Sequence, residues 1–168
     1  MNERFVYGQR IRHNDWVIES LIESSGKPEA QGSSNVMAST VWKAPVTGST
    51  VLVGPRTTQI SLGGFGETIT RQLLQMSFGE EAEGLEEVKA GSAEFQKLYM
   101  IWAKDPAVVV RIINPFFEST LLNWAKYAPM VKRTAQGLSV ELHNFSLKKP
   151  EEIETLAKLG DFLLVLDF

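Results

Sequence analysis

The sequence contains no cysteine and only two histidines, His13 and His143. The first absence removes disulfide frameworks, thiolate zinc sites, iron–sulfur clusters and cysteine nucleophiles together. The second means that any two-histidine metal site needs both imidazoles. Long apolar runs are missing too: the longest goes from Leu98 to Ala103, far short of the roughly 20 residues of a spanning helix. Charge of one sign does not dominate. Lys+Arg number 17 against 20 Asp+Glu, a net charge of -3, so long-range attraction for nucleic acid is lacking. Met1-Asn2-Glu3-Arg4-Phe5 does not have the charged-then-apolar layout of a signal peptide. These absences lead us to expect a cytoplasmic location, no transmembrane segment and no nucleic-acid partner.

What remains is ordinary globular material. The 168 residues are 43% hydrophobic and 22% charged, enough apolar substance for a core. From Phe5 to Leu62 the signals are β. Val36, Ala38, Thr40 and Trp42 alternate with Met37, Ser39 and Val41, the period of a strand. The pattern predicts a long hairpin of Asp15–Glu23 and Asn35–Lys43, its tip rich in Gly, Ser and Pro. Short strands are expected at Thr50–Val53 and Thr57–Leu62, and a short amphipathic helix at Thr68–Met76. The run from Gly79 to Glu87 holds five glutamates and reads as exposed linker.

The second half is more sharply punctuated. Lys97–Lys104 is apolar on both faces, as a central strand is. Asp105-Pro106 is a helix start, with Asp as cap and Pro where a missing N–H costs nothing. Pro115 predicts a break before a second piece, Phe116–Tyr127. Met130–Arg133 and Leu138–Phe145 form a hairpin around Ala135-Gln136-Gly137. Pro150, followed by Glu151 and Glu152, opens a last helix; periodicity leaves Asp161–Phe168 open between helix and strand.

The expected fold is α+β: a mainly antiparallel, curved sheet with helices packed on one face. Two lobes are one arrangement, with residues 1–78 as a β-rich N-terminal lobe, 79–90 as an acidic linker and 91–168 as a β-α-β-β-α lobe; one compact domain is the other.

Motifs that would carry chemistry fail on inspection. Gly63-Gly64-Phe65-Gly66 is followed by Glu67-Thr68-Ile69, not by the Lys and Ser/Thr of a phosphate loop, and glutamate at a helix start repels phosphate. The glutamate run lacks the alternating Asp/Asn order of a calcium loop. No Gly-x-Ser-x-Gly or His-Glu-x-x-His occurs. No cofactor or metal is implied.

Three features remain. Arg4, Arg10 and Arg12 could form a small anion-binding patch near His13. His13 and Asp15 could form an acid–base pair. Of the four tryptophans, Trp102 and Trp124 read as core, while Trp16 and Trp42 on the hairpin could line a groove or partner surface. His143 falls on a solvent face.

Phe95, Tyr99, Trp102-Ala103, Asp105-Pro106, Pro115, Leu121-Leu122 and Gly137-Leu138-Ser139-Val140 carry a resemblance. With them the segment from Gly91 to Leu166 resembles an uncharacterised bacterial domain family of unknown function, often found behind N-terminal membrane helices. The resemblance implies a strand, an Asp-Pro helix, a hairpin and a C-terminal helix, and no catalytic residues.

The leading expectation is a binding or interaction module for a protein or a small apolar ligand, its binding residues Trp16, Trp42, Arg10, Arg12 and His13. The alternatives are a carboxylate/His hydrolase using His13 and Asp15, and a structural or assembly subunit.

Overall fold

The computed structural model describes residues 4–25, 35–56, 75, 79–145 and 149–166. The hairpin tip, the Thr57–Leu62 strand, the glycine cluster at 63–66 and, apart from Gln75, the Thr68–Met76 helix lie outside the described residues. Eight strands make one antiparallel sheet: β1 (Arg4–Arg12), β2 (Val17–Ser25), β3 (Asn35–Ala44), β4 (Val51–Pro55), β5 (Glu86–Glu87), β6 (Tyr99–Ala103), β7 (Met130–Thr134) and β8 (Gly137–His143). Among the described residues their spatial order is β1-β2-β3-β8-β7-β4-β6-β5, and the sheet is not closed.

The predicted hairpin is β2 with β3, in a register that sets Ile18 opposite Trp42 and Ser25 opposite Asn35. The second predicted hairpin is β7 with β8. At its turn Gly137 adopts φ 135, and a Cβ there would meet the Ala44 carbonyl, so glycine is required by both conformation and space. Strand β1 lies in the stretch read as β from Phe5 onward but not delimited there as a strand, and it pairs with β2 along its whole length; its C-terminal half, Gln9-Arg10-Ile11-Arg12, has too little apolar alternation to announce its bounds.

Side-chain alternation divides the sheet into two faces. One carries Ile18, Trp42, Val140, Val131, Val53 and Ile101, which succeed one another across the strands. The helices α1 (Ala93–Leu98), α2 (Pro106–Ile112), α3 (Pro115–Asn123) and α4 (Pro150–Val165) cover this face. Phe95, Val109, Phe117, Leu121, Leu156 and Leu163 from those helices join the sheet residues in one buried cluster. Helices thus sit on one side of a mainly antiparallel sheet, the α+β arrangement.

Capping explains the helix boundaries. Ser92, Asp105 and Asn114 accept hydrogen bonds from the backbone N–H groups of Phe95, Ala107 and Phe117, satisfying donors the helices leave unpaired. Pro115 breaks the path as expected: α2 ends before Ile113, and α3 starts at Pro115. Three boundaries differ from the sequence reading. Residues 97–98 close α1, so the central strand starts at Tyr99. The second helical piece stops at Asn123 and continues as a short 3-10 turn, Ala125–Tyr127. The last helix runs to Val165, settling 161–165 as helix.

Strands from before and after residues 79–90 hydrogen-bond within the one sheet, β3 with β8 and β4 with both β6 and β7. The segment expected as a linker contributes β5, paired to β6, and a fully buried Leu85. Leu85 packs with Leu52 and Trp102 in a small cluster on the face away from the helices. Among the described residues no helix is long and apolar enough to cross a membrane.

Candidate functional site

Among the described residues the remainder of that second face is uncovered, and its residues follow from the register. Arg12 pairs with Val17, Val17 with Lys43, Lys43 with Ser139 and Ser139 with Lys132. Residues directly opposite in antiparallel strands share a face, so Arg12, Lys43 and Lys132 form a transverse row of cations. Adjacent members sit two strands apart, about 10 Å. Two residues further along the strands, on the same face, lies a second row: Arg10, Glu19, Val41, Glu141 and Met130. The first row ends where Lys132 meets Leu52 of the small apolar cluster.

The first row, with Arg10, Val41 and Glu141 of the second, floors an open cleft of about 770 Å³, within the range of ligand sites. Its walls at one end come from the β1–β2 turn (His13, Asn14, Asp15, Trp16) and the stretch after β3 (Pro45, Val46). The turn is closed by the His13 N–H donating to the Trp16 carbonyl at 2.9 Å. The His13 ring stacks on the Trp16 indole, centroids 4.8 Å apart and 15° from parallel. Trp16 is itself held, because its indole N–H donates to Asp161 Oδ1 of α4 at 2.9 Å. An aromatic pair therefore stands fixed at the cleft's end, tied to an element 145 residues away in sequence.

Charges on and beside the floor are partly matched. Glu19 bridges Arg10 at 3.1 Å and Lys43 at 2.7 Å, and Glu141 pairs with Lys132 at 2.6 Å. Arg12 has no ion pair within 4 Å among the described residues, which leaves the floor a surplus of positive charge. The Lys43 hydrogen bond holds the Glu19 carboxyl below its usual range, with the charges of Lys43, Arg10 and Arg12 acting in the same sense.

Four of the five sequence-expected binding residues, Arg10, Arg12, His13 and Trp16, line this cleft. The fifth, Trp42, does not. It is 0% exposed and lies on the helix-covered face, opposite Ile18 and Val140. Its place follows from period 2: the alternation that marked β3 as a strand also set Trp42 on the same side as Thr40, away from Lys43. Its indole packs against Gly160 of α4, where a Cβ would collide with the ring. Arg4 starts β1 at the end opposite Arg12, eight residues or about 26 Å away along an extended strand, so it shares no site with Arg12. His143 is exposed, as expected.

Lys43, Lys132, Glu19 and Glu141 escaped the sequence reading. Parity alone could have found Lys43, as the neighbour of Trp42 on the opposite face. Lys132 joins it only through the pairing of β3 with β8, about a hundred residues apart, which no local pattern encodes.

Asp15 and His13 are both exposed on the β1–β2 turn. Among the described residues no group of three or more His, Asp or Glu side chains is arranged to hold a metal ion. Thr40, buried in β3, bonds through its hydroxyl to Ser20 and to the Phe145 carbonyl and belongs to the interior. No family model, no curated protein and no solved structure matches the chain.

Proposed function

We propose that the protein is a binding module that engages its partner through the uncovered face of the sheet. The observation that carries this reading is the cleft itself: a cationic floor beside a His13–Trp16 pair pinned by Asp161. Sheet surface left bare by helices costs little when its side chains are long and charged. The Trp16 indole also packs against the helix-side core beside Trp42, and its stack with His13 at the cleft's rim offers aromatic contact area to a partner. Val17, Val41, Pro45 and Val46 add apolar contact area among the charges.

Chemical-shift mapping with a mixed library of small fragments and short peptides tests the reading. Perturbed amides should cluster in 10–17, 41–46 and 132–141. Perturbations confined to another region would overturn it. Turnover of generic ester or phosphate-ester substrates that is lost in His13→Ala would replace it with the hydrolase alternative, His13 and Asp15 acting as the acid–base pair.

A further inference from the structure

We infer that the occupant of the cleft is an acidic peptide segment, laid across the strands from Arg12 towards Lys132. The inference rests on the reading of the cleft as a binding site and adds the chemistry of what it binds. Three features support it. The cations Arg12, Lys43 and Lys132 fall in one transverse row that spans four strand spacings, about 20 Å. About six residues of extended chain cover that distance. Arg12, at one end of the row, lacks an ion pair among the described residues and can accept a carboxylate without displacing a partner. The carboxylates Glu141, on the cleft floor, and Glu19, beside it, stand in the adjacent row, so this sheet face alternates in sign rather than forming a continuous positive track.

That alternation selects among anions. A nucleic-acid backbone carries a charge at every nucleotide and would pass over Glu19 and Glu141 at close range. A peptide can place separate carboxylates over Arg12, Lys43 and Lys132 and set apolar side chains on Val17 and Val41 between them. The single aromatic pair, already stacked on itself, offers an edge for one apolar side chain and not the series of stacking platforms a single strand uses. Guanidinium geometry suits a carboxylate at Arg12, which can be met by two parallel hydrogen bonds.

The test follows the Trp16 indole N–H and the cleft amides by NMR. The probes are a short Glu/Asp-rich peptide with one Phe, its Gln/Asn counterpart, a short oligothymidylate and inorganic phosphate. The acidic peptide should shift these signals and bind about tenfold more tightly than its neutral counterpart. Raising salt from about 50 to about 500 mM should weaken it by about tenfold. Arg12→Glu should cost a similar factor, while Lys158→Glu, the same charge change on exposed α4 surface, should leave binding within about twofold.

Equal binding of the neutral peptide overturns the acidic occupant and leaves the cleft reading standing. Tighter binding of oligothymidylate, or of phosphate alone, overturns it in favour of those anions. Salt-sensitive self-association abolished by Arg12→Glu would assign the cleft to a second copy, whose Glu80–Glu87 region supplies the acid, and would overturn an external peptide. If no probe moves the cleft signals but the fragment library does, only the acidic occupant is lost; if neither does, both readings fall.

Discussion

The two faces of one sheet obey different rules here. On the helix-covered face, β2, β3, β8, β7, β4 and β6 present Ile18, Trp42, Val140, Val131, Val53 and Ile101, each 3% exposed or less. On the other face the first five of these strands present Glu19, Lys43, Glu141, Lys132 and Leu52 in turn. Only the last, next to Leu85 and Trp102, is covered by protein among the described residues. A covered face is constrained by volume, so its residues cannot change without a cavity or a clash. An uncovered face is constrained mainly by charge, and exposed pairs contribute little to stability. Residues there are free to be chosen for contact with something else.

The contrast can be broken or sharpened by substitution. Phe117→Ala empties a fully buried site on α3 beside Phe95 of α1 and should destabilise by about 4 kcal/mol, lowering Tm by about 10 °C in a calorimetric scan. Gly160→Ala places a methyl against the Trp42 ring and should destabilise by about 2 kcal/mol through overpacking. Combining it with Trp42→Phe should cost less than the sum of the two single changes. Additive losses in denaturant titration would show that α4 does not rest on Trp42 as described.

The next effect is a titration. Burial pushes the Tyr99 hydroxyl up to about 12, and that hydroxyl donates to the Leu121 carbonyl of α3. A raised folded-state value means the unfolded chain loses its proton first. The stabilisation is therefore complete below about pH 10 and lost as pH rises towards 12. Tyr99→Phe should be less stable than the parent at neutral pH and should flatten this alkaline slope; an unchanged slope would assign it to other groups.

The smallest effect belongs to the uncovered face. Glu19 is lowered from the usual value of 4.5. Its contribution is present above that value and is lost as pH falls through the lower folded-state value. Glu19→Gln should therefore change Tm by only a degree or so at neutral pH, and the difference from the parent should vanish in acid. A loss comparable to Phe117→Ala would mean that the charged face is as tightly constrained as the covered one.

Much of the fold was legible from local signals. Trp42 and its alternating neighbours marked β3, Asp105-Pro106 and Pro115 marked the starts of α2 and α3, and Pro150 opened α4. These are short-range effects of backbone geometry and unsatisfied donors, written within a few residues. The bounds of β1 were not legible, since an edge strand needs no buried alternation. The glutamate-rich stretch was legible as exposed but not as carrying Leu85 into a second small core, because one apolar residue among charges has no period. For the site, local charge and aromatic character were enough to single out Arg10, Arg12, His13 and Trp16. Trp42 was assigned to the groove because an indole looks the same from either side of a strand until the register is known.

By itself the sequence determined the β2–β3 and β7–β8 hairpins, where α2, α3 and α4 begin, and that cysteine chemistry has no material to work with. Only the tertiary structure decided which side of each strand the helices cover. It also decided that Lys43 and Lys132, from strands remote in the chain, stand in one row with Arg12, and that Asp161 fixes Trp16 at the end of that row. Local propensity acts over a few residues, whereas strand order and helix placement depend on burying the whole apolar surface at once, a condition no single segment contains.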